Sequence, residues 1–347
     1  MQRLWLAAIV VVLSAHGLVA AADDFRLSSV AANLPPASVL EEELWSDADD
    51  GRLDQFSLLD AALIAGGVVT RHELNHYEQL TAKHLAELRD LTRTVNEPRR
   101  KVEIIFAFLH RRVLTGSYDL FCGDLRRTLD EGSYNCLTAS VLMTYFCEGQ
   151  GLRCEILEMP GHAMLRILLP EGPLDVETTS ATWLERPDLL RTAEARKGLP
   201  AFPTVEVRQT ARVVSPIQAA AMFYYNRGVT LLSAGKYAEA ATANLKAFRL
   251  DPQNMLARGN LLATLNNWSI ELGRQNRYAE AAELLREGLR LDNRHPVLTE
   301  NLARLQSRWE EYRKHEVGTH TRLLREEPSS AAASSEQVSF FAEPKVD

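Results

Sequence analysis

A change of hydrophobic pattern at residue 136 constrains the fold of this chain more than any other feature. The run that starts at Cys136 places apolar residues on one face of a helix and ends at Gly149 and Gly151. Three short strand-like runs follow, at residues 152–157, 163–169 and 174–178. Turns rich in Pro and Gly separate them. A helix followed by antiparallel strands predicts an α+β domain.

The first 22 residues have the layout of a secretory signal peptide. Arg3 supplies the positive charge, an apolar run follows, and small residues lead to a cleavage site after Ala21 or Ala22. An uncleaved membrane anchor is the alternative, but spanning a bilayer takes roughly 20 apolar residues. Because His16 and Gly17 interrupt the run, we expect cleavage and a soluble mature protein in the periplasm or the secreted fraction.

Charge and composition argue against a nucleic-acid partner. The formal net charge is -7, and the sequence has neither a block of Lys and Arg nor a basic stripe with interleaved aromatic residues. A chain of this kind lacks the electrostatic footprint for nucleic acid. We therefore expect no nucleic-acid partner. No segment after the signal peptide approaches the length needed to span a membrane, so we expect no membrane association once it is removed, and we also expect no cofactor.

The four cysteines all fall between residues 122 and 154. Their spacing forms no CxxC pair and does not match paired zinc ligands. An oxidising compartment permits disulfides, which would use all four cysteines if each were bridged. If Cys136 stays a thiol, one of the other three is unpaired, and Cys147 with Cys154 is the nearest candidate bridge.

From residue 217 the pattern changes to helices rich in Ala and Leu, and the sequence repeats itself. Residues 235–241 recur as residues 276–282, at an offset of 41. The segment resembles the tetratricopeptide repeat, whose unit is about 34 residues. The first copy fits that repeat well, whereas the second has Ser269 where a small Gly is usual. This resemblance implies an all-α domain that binds a protein or peptide partner.

The longer offset and the end of the chain lead to two further expectations. The offset of 41 exceeds the repeat unit of about 34 residues by about two helical turns, which predicts a lengthened helix around residues 261–272. Another helix is predicted from Pro296 to about His315. The tail from Gly318 has too few apolar residues to pack and is predicted to be disordered.

Cys136 and His162 are the candidate catalytic pair. Cysteine is nucleophilic as a thiolate, and the unpaired N–H groups and dipole of a helix N-terminus favour that form. A thiolate also needs a base that exchanges protons, and a third group that holds this base in the right tautomer. His162 starts a predicted strand, and Asp175 and Glu177 share one face of the next, so a hairpin brings either carboxylate beside His162.

A set of motifs in this region resembles a bacterial branch of the transglutaminase-like superfamily. The matching positions are Gly132-Ser133-Tyr134-Asn135-Cys136, Ser140, Gly151-Leu152, Pro160-Gly161-His162, Arg166 and Glu177-Thr178-Thr179. The likeness is good over residues 133–177 and looser over residues 98–215. It implies a papain-like α+β core with the cysteine at a helix start and the His and Asp on consecutive strands.

The resemblance also implies a role for each site residue. Cys136 would be the nucleophile, with its backbone N–H in the oxyanion hole, and His162 the general base and acid. Glu177 stands where most relatives have the orienting Asp, which lengthens this arm by one methylene. Asp175 is the fallback orienter, and Arg166 is expected to pair with one of the two carboxylates. Asn135 is expected to cap the helix.

These interpretations divide the chain into five parts. They are a signal peptide at residues 1–22, a helical N-terminal region at 23–97, a transglutaminase-like domain at 98–215, a tetratricopeptide-repeat domain at 216–317 and a disordered tail at 318–347. The predicted function is a secreted or periplasmic thiol enzyme that hydrolyses or transfers acyl groups on peptides or cell-envelope material. One alternative is a non-catalytic scaffold for envelope proteins, and another is a zinc site made by Cys136, His162 and Glu177.

Overall fold

The computed structural model describes residues 38–183 and 211–326, and these residues form eleven helices and one four-stranded sheet. The predicted signal peptide lies outside the described residues. In the two described ranges, no helix combines the length and apolarity that crossing a membrane requires. Six helices precede the sheet: α1 (Val39–Asp47), α2 (Leu58–Gly66), α3 (Arg71–Thr92), α4 (Pro98–Arg112), α5 (Leu125–Glu131) and α6 (Cys136–Glu148).

Helix α6 begins at Cys136 because Asn135 caps it. The Asn135 Oδ1 atom accepts the backbone N–H groups of Leu137 and Thr138, at 3.0 and 2.9 Å. In return, Thr138 Oγ1 accepts the N–H of Asn135 at 3.0 Å. Such a reciprocal cap satisfies donors that a helix start otherwise leaves unpaired. The prediction that Asn135 caps this helix is confirmed.

The sheet has the strand order β3-β2-β1-β4 and is antiparallel throughout. The four strands are β1 (Arg153–Met159), β2 (His162–Leu169), β3 (Gly172–Val176) and β4 (Arg212–Val214). A tight turn joins β1 to β2, and Gly161 in that turn has a φ of 71°, which glycine adopts without strain. The turn pairs Met159 with His162. It therefore fixes His162 as the first residue of β2.

Helix α6 lies against one face of this sheet. Ala163, Leu165 and Ile167 alternate along β2 onto that face and share a core with the apolar residues of α6. Helix α6 is buried almost all round, because α2 and α4 also pack on it. The start of α6 is thus held rigidly beside the sheet, in agreement with the predicted α+β class.

Five helices follow the sheet and pack in sequence order. They are α7 (Pro216–Ser233), α8 (Tyr237–Leu250), α9 (Met255–Arg274), α10 (Tyr278–Leu291) and α11 (Pro296–Glu326). Helix α9 has 20 residues against 14 in α8 and α10, so the predicted lengthening is confirmed. The predicted end of α11 near His315 is wrong, because the following stretch has no proline and Gly318 alone does not stop a helix. The remainder of the predicted tail lies outside the described residues.

Helix α7 begins where a second domain was predicted to start, but its apolar face belongs to the first core. Met222 and Phe223 are buried in the same cluster as residues of α2 and α6. An ion-pair cluster adds a second connection, since Arg212 of β4 bonds both Glu158 of β1 and Asp251 at the end of α8. The helical repeats are therefore docked on the sheet.

Candidate active site

Three elements meet at one end of the sheet and bring the predicted catalytic residues together. Cys136 is the first residue of α6, His162 is the first residue of β2, and Glu177 directly follows β3. The side chains of His162 and Glu177 are 5% and 0% exposed, and Cys136 is also buried. A group of polar side chains so thoroughly removed from water needs specific partners.

Glu177 holds His162 from one side. The Oε2 atom of Glu177 lies 2.6 Å from Nε2 of His162, and a carboxylate can only accept, so Nε2 is the donor. The other carboxylate oxygen, Oε1, accepts the backbone N–H of Thr179 at 3.1 Å and its hydroxyl at 2.6 Å. Both oxygens of this buried charge are thus satisfied. Glu177 fixes the orientation and tautomer of the imidazole.

The opposite nitrogen of His162 faces the thiol. Burial alone lowers the pKa of His162, but the Cys136 thiol and the Glu177 carboxylate outweigh burial, and the pKa rises to about 10. The Nδ1 atom is buried and makes no aligned hydrogen bond with any atom of the described residues. Cys136 therefore acts on the ring at a looser geometry than a hydrogen bond, as catalytic pairs often do before substrate binds.

Asp175, the fallback orienter, is engaged elsewhere. Its carboxylate accepts two hydrogen bonds from Arg166, at 2.7 and 2.9 Å. Arg166 was expected to pair with either Asp175 or Glu177, and it pairs with Asp175. The two residues are directly opposite in the β2–β3 register. The same register places Glu177 two positions closer to His162. The longer Glu side chain then spans a diagonal distance along the strands, which explains how Glu replaces Asp here.

The three side chains do not form a metal site. His162 lies between the other two groups, with Nε2 on Glu177 and Nδ1 towards Cys136, so the three cannot converge on one ion. Within residues 38–183 and 211–326, no group of three or more His, Cys, Asp or Glu side chains is placed to hold a metal ion. The zinc alternative is therefore wrong for these residues.

The other cysteines differ from Cys136 in their surroundings. All four are free thiols in this structure. Burial raises the pKa of both Cys122 and Cys147, which keeps these two thiols neutral and unreactive. Cys154 is half-buried, and its thiol contacts that of Cys147. The two cysteines named as the nearest candidate bridge are therefore neighbours.

Aromatic side chains pack together near the site, and two of them, Tyr118 and His110, were not singled out in the sequence. The rings of Tyr118 and Tyr134 lie 6.0 Å apart, and His110 packs edge-on against Tyr134 at 6.3 Å. Burial lowers the pKa of His110 to about 4, so its ring is neutral. No short motif marked Tyr118, because it lies in a loop 18 residues before the nucleophile. Thr179 was part of the quoted motif, but its bonds to Glu177 were not foreseen.

Two surface cavities lie away from these residues. One, of about 190 Å³, lies between the N-terminal helices and α7–α8 and includes Glu41 and Lys246. The other, of about 450 Å³, lies beside Cys154. In the first, Lys246 and the hydroxyl of Tyr224 both bond Glu41, so its buried charge is already compensated. Chemistry rather than cavity size therefore identifies the candidate active site.

The chain was also compared with known proteins in three ways. Protein-family models, curated proteins and solved structures all gave no match. The transglutaminase-like and tetratricopeptide resemblances accordingly rest on their sequence motifs, and what they imply for function is a proposal.

Proposed function

We propose that this chain is a secreted or periplasmic thiol enzyme of the transglutaminase-like type, which hydrolyses or transfers acyl groups at amide bonds of peptides or cell-envelope material. The observation that carries this proposal is the position of His162 between Glu177 and Cys136. A nucleophile, a base and an orienting acid in that order make a relay suited to acyl transfer.

In the first half of the reaction, the Cys136 thiolate forms a bond to the carbonyl carbon of the substrate, and the carbonyl oxygen takes the negative charge. The raised pKa of His162 supplies an imidazolium at neutral pH, which stabilises the thiolate before attack. When the C–N bond breaks, His162 gives its proton to the leaving amine. A thioester on Cys136 and a neutral imidazole remain.

In the second half, water or a second amine attacks the thioester carbon. His162 accepts a proton from the attacking group, the C–S bond breaks, and the proton returns the pair to its starting state. Glu177 accepts the hydrogen bond from Nε2 and orients the imidazole at each step. Hydrolysis and acyl transfer share this chemistry and differ only in the attacking group.

The helical repeats are proposed to bind a protein or peptide partner. Several large apolar side chains on them are at least 39% exposed, namely Met255, Leu256, Ile270 and Val297. Exposed apolar residues on stacked helices are typical of surfaces that repeat proteins use for binding. Because these helices are docked on the sheet, a bound partner would be held at a fixed position relative to Cys136.

A non-catalytic scaffold is the second candidate function. The burial of Cys136 and His162 favours it, since neither of the two cavities described above reaches these residues. In a scaffold, the Glu177–His162 bond would stabilise the sheet end without any chemistry. The repeats would then carry the function alone.

Alkylation by iodoacetamide distinguishes the two candidates. We expect rapid labelling of Cys136 near neutral pH in the wild type, and loss of that labelling by about tenfold or more in His162→Ala. Peptide mass mapping assigns each label. Cys154 is an internal control in the reduced protein, because it is half-buried and lies in β1, where the register pairs it with Ile167 and not with His162.

Two results would refute the proposed enzymatic function. One is labelling of Cys136 at the rate of Cys154 in both proteins. The other is a disulfide between Cys136 and another cysteine in the secreted form, since a bridged sulfur cannot attack a carbonyl. Either result leaves the scaffold as the supported function.

A further inference from the structure

The hydroxyl of Tyr118 is buried at the active site without a partner. Its oxygen atom is out of contact with solvent, although the residue as a whole is only partly buried. Among the residues that the structure describes, no atom hydrogen-bonds to it. Burying a hydroxyl in this way is unfavourable, because no protein group replaces the hydrogen bonds that it makes to water in the unfolded chain. An unpaired polar atom of this kind is a sign that something else binds there.

The backbone around Tyr118 fixes its place beside the nucleophile. Tyr118 and Tyr134 form an isolated parallel bridge, in which the N–H of Tyr134 bonds the carbonyl of Ser117 at 3.3 Å and the N–H of Asp119 bonds the carbonyl of Tyr134 at 2.9 Å. Tyr134 is two residues before Cys136. The T-shaped contact between the two tyrosine rings then restricts the direction of the Tyr118 hydroxyl.

The surroundings of this hydroxyl are negative. Burial raises the pKa of Tyr118, and the nearby charges of Cys136 and Glu177 raise it further. The phenol therefore keeps its proton at any physiological pH. Both oxygens of Glu177 already have partners, and the Tyr118 hydroxyl bonds neither of them, so its proton is available to another acceptor.

A second donor is available at the same place. In the first turn of α6, Asn135 accepts the N–H groups of Leu137 and Thr138 through its side chain and that of Ala139 through its carbonyl. The N–H of Cys136 makes no hydrogen bond within the described part of the chain. Two donors are thus unpaired in this region, the backbone N–H of Cys136 and the hydroxyl of Tyr118, whose backbone is bridged to Tyr134 two residues before Cys136.

We propose that Tyr118 is a catalytic residue, whose hydroxyl donates a hydrogen bond to the oxyanion formed when Cys136 adds to the substrate carbonyl, with the N–H of Cys136 as the second donor. This inference rests on the proposed function. As the C–S bond forms, the carbonyl π electrons move to oxygen, and the Tyr118 O–H stabilises that charge while keeping its own proton. When the C–N bond breaks, the carbonyl re-forms and the hydrogen bond weakens.

The experiment compares two reactions of the same sulfur. Acylation of Cys136 by p-nitrophenyl acetate passes through an oxyanion, whereas alkylation by iodoacetamide is a direct displacement at carbon without one. In Tyr118→Phe we expect acylation, followed by release of p-nitrophenolate, to slow by about a hundredfold. Alkylation should stay within about twofold, because the Cys136–His162 pair is intact. Tyr77→Phe is the matched control, as it removes a buried hydroxyl bonded to Asp130, away from the site.

The outcomes separate the two proposals. Only the acylation that Cys136→Ala abolishes is counted. A wild type without such acylation refutes the proposed function, and the role of Tyr118 falls with it. A Tyr118→Phe variant that acylates as fast as the wild type refutes the oxyanion role alone. If acylation and alkylation fall by the same factor, Tyr118 supports the thiolate or the fold, which also overturns the oxyanion role.

Discussion

The Nε2 atom of His162 donates to Glu177 Oε2 over 2.6 Å, and neither side chain is more than 5% exposed. A charge-assisted bond of this length between buried groups is strong, and it ties the protonation state of the imidazole to the charge of Glu177. The ring then presents only Nδ1 to Cys136. We therefore expect a change at Glu177 to alter the reactivity of the Cys136 sulfur through His162.

The first prediction concerns the charge of Glu177. In Glu177→Gln the shape of the side chain is kept, but the negative charge that raises the pKa of His162 is lost. We expect the pKa of His162 to fall below about 10, as followed by NMR of the imidazole. Alkylation of Cys136 near neutral pH should slow by about tenfold or more.

Glu177→Asp is the matched variant for this first prediction. It keeps the charge but is one methylene shorter, so it cannot reach His162 and both donors of Thr179 together. We expect an alkylation rate between those of the wild type and Glu177→Gln. Equal rates in all three proteins would show that Glu177 does not control the nucleophile.

The second prediction is a pH dependence of stability. The pKa of His162 is about 10 in the folded chain and about 6.5 in the unfolded chain, so the folded state binds the proton more tightly. The stabilisation is complete below about pH 6.5 and is lost as the pH rises through about 10. The free energy of unfolding, measured in urea, should therefore fall over this range more steeply in the wild type than in His162→Asn.

The difference in the pH dependence of the free energy of unfolding between the wild type and His162→Asn isolates the contribution of His162. The raised pKa values of Cys122 and Cys147 also reduce stability at alkaline pH, but they contribute equally to both. Parallel curves for the wild type and His162→Asn would contradict the raised pKa of His162.

Local patterns were sufficient to predict the elements that carry the site. The turn residues Pro160 and Gly161 separated β1 from β2, and the alternation along the strands placed both candidate acids on the face of His162. The choice between Asp175 and Glu177 depended on the β2–β3 register and on Arg166. Because a register is a long-range property, the residues of one strand could not decide it.

Contacts between distant segments were not predictable from the sequence. Arg212 is 54 residues from Glu158 and 39 from Asp251, and no spacing rule connects such positions. Helix α5 was not predicted, because it is short and has few apolar residues. The orphan hydroxyl of Tyr118 likewise follows from the packing of a loop on the site and not from a motif.

The third prediction tests the ion-pair cluster between sheet and repeats. Arg212 pairs with Glu158 and Asp251, whose side chains are 8% and 1% exposed. In Arg212→Met both acids stay buried without their cation, so we expect a loss of about 3 kcal/mol in the free energy of unfolding. Arg304→Met is the control, since its pair with Glu300 is well exposed and should change stability by less than about 0.5 kcal/mol. Equal effects of the two substitutions would show that the cluster does not stabilise the docking.

The fourth prediction concerns the close packing of α7 on α8. A Cβ added at Gly228 would lie 2.3 Å from Oδ1 of Asn244, which is fully buried and held by a 2.9 Å bond from its Nδ2 to Thr264. Because Asn244 cannot turn aside without losing that bond, Gly228→Ala should destabilise the protein by about 1–3 kcal/mol in urea unfolding.

Gly259 is the matched control. It is also in a helix, but nothing lies within 4 Å of its added Cβ, so Gly259→Ala should stabilise the protein by up to about 1 kcal/mol. If the two Gly→Ala substitutions change the free energy of unfolding in opposite directions, the loss at Gly228 comes from the close contact between α7 and α8 and not from the replacement of glycine as such. A stabilising Gly228→Ala would mean that α7 and α8 do not approach this closely.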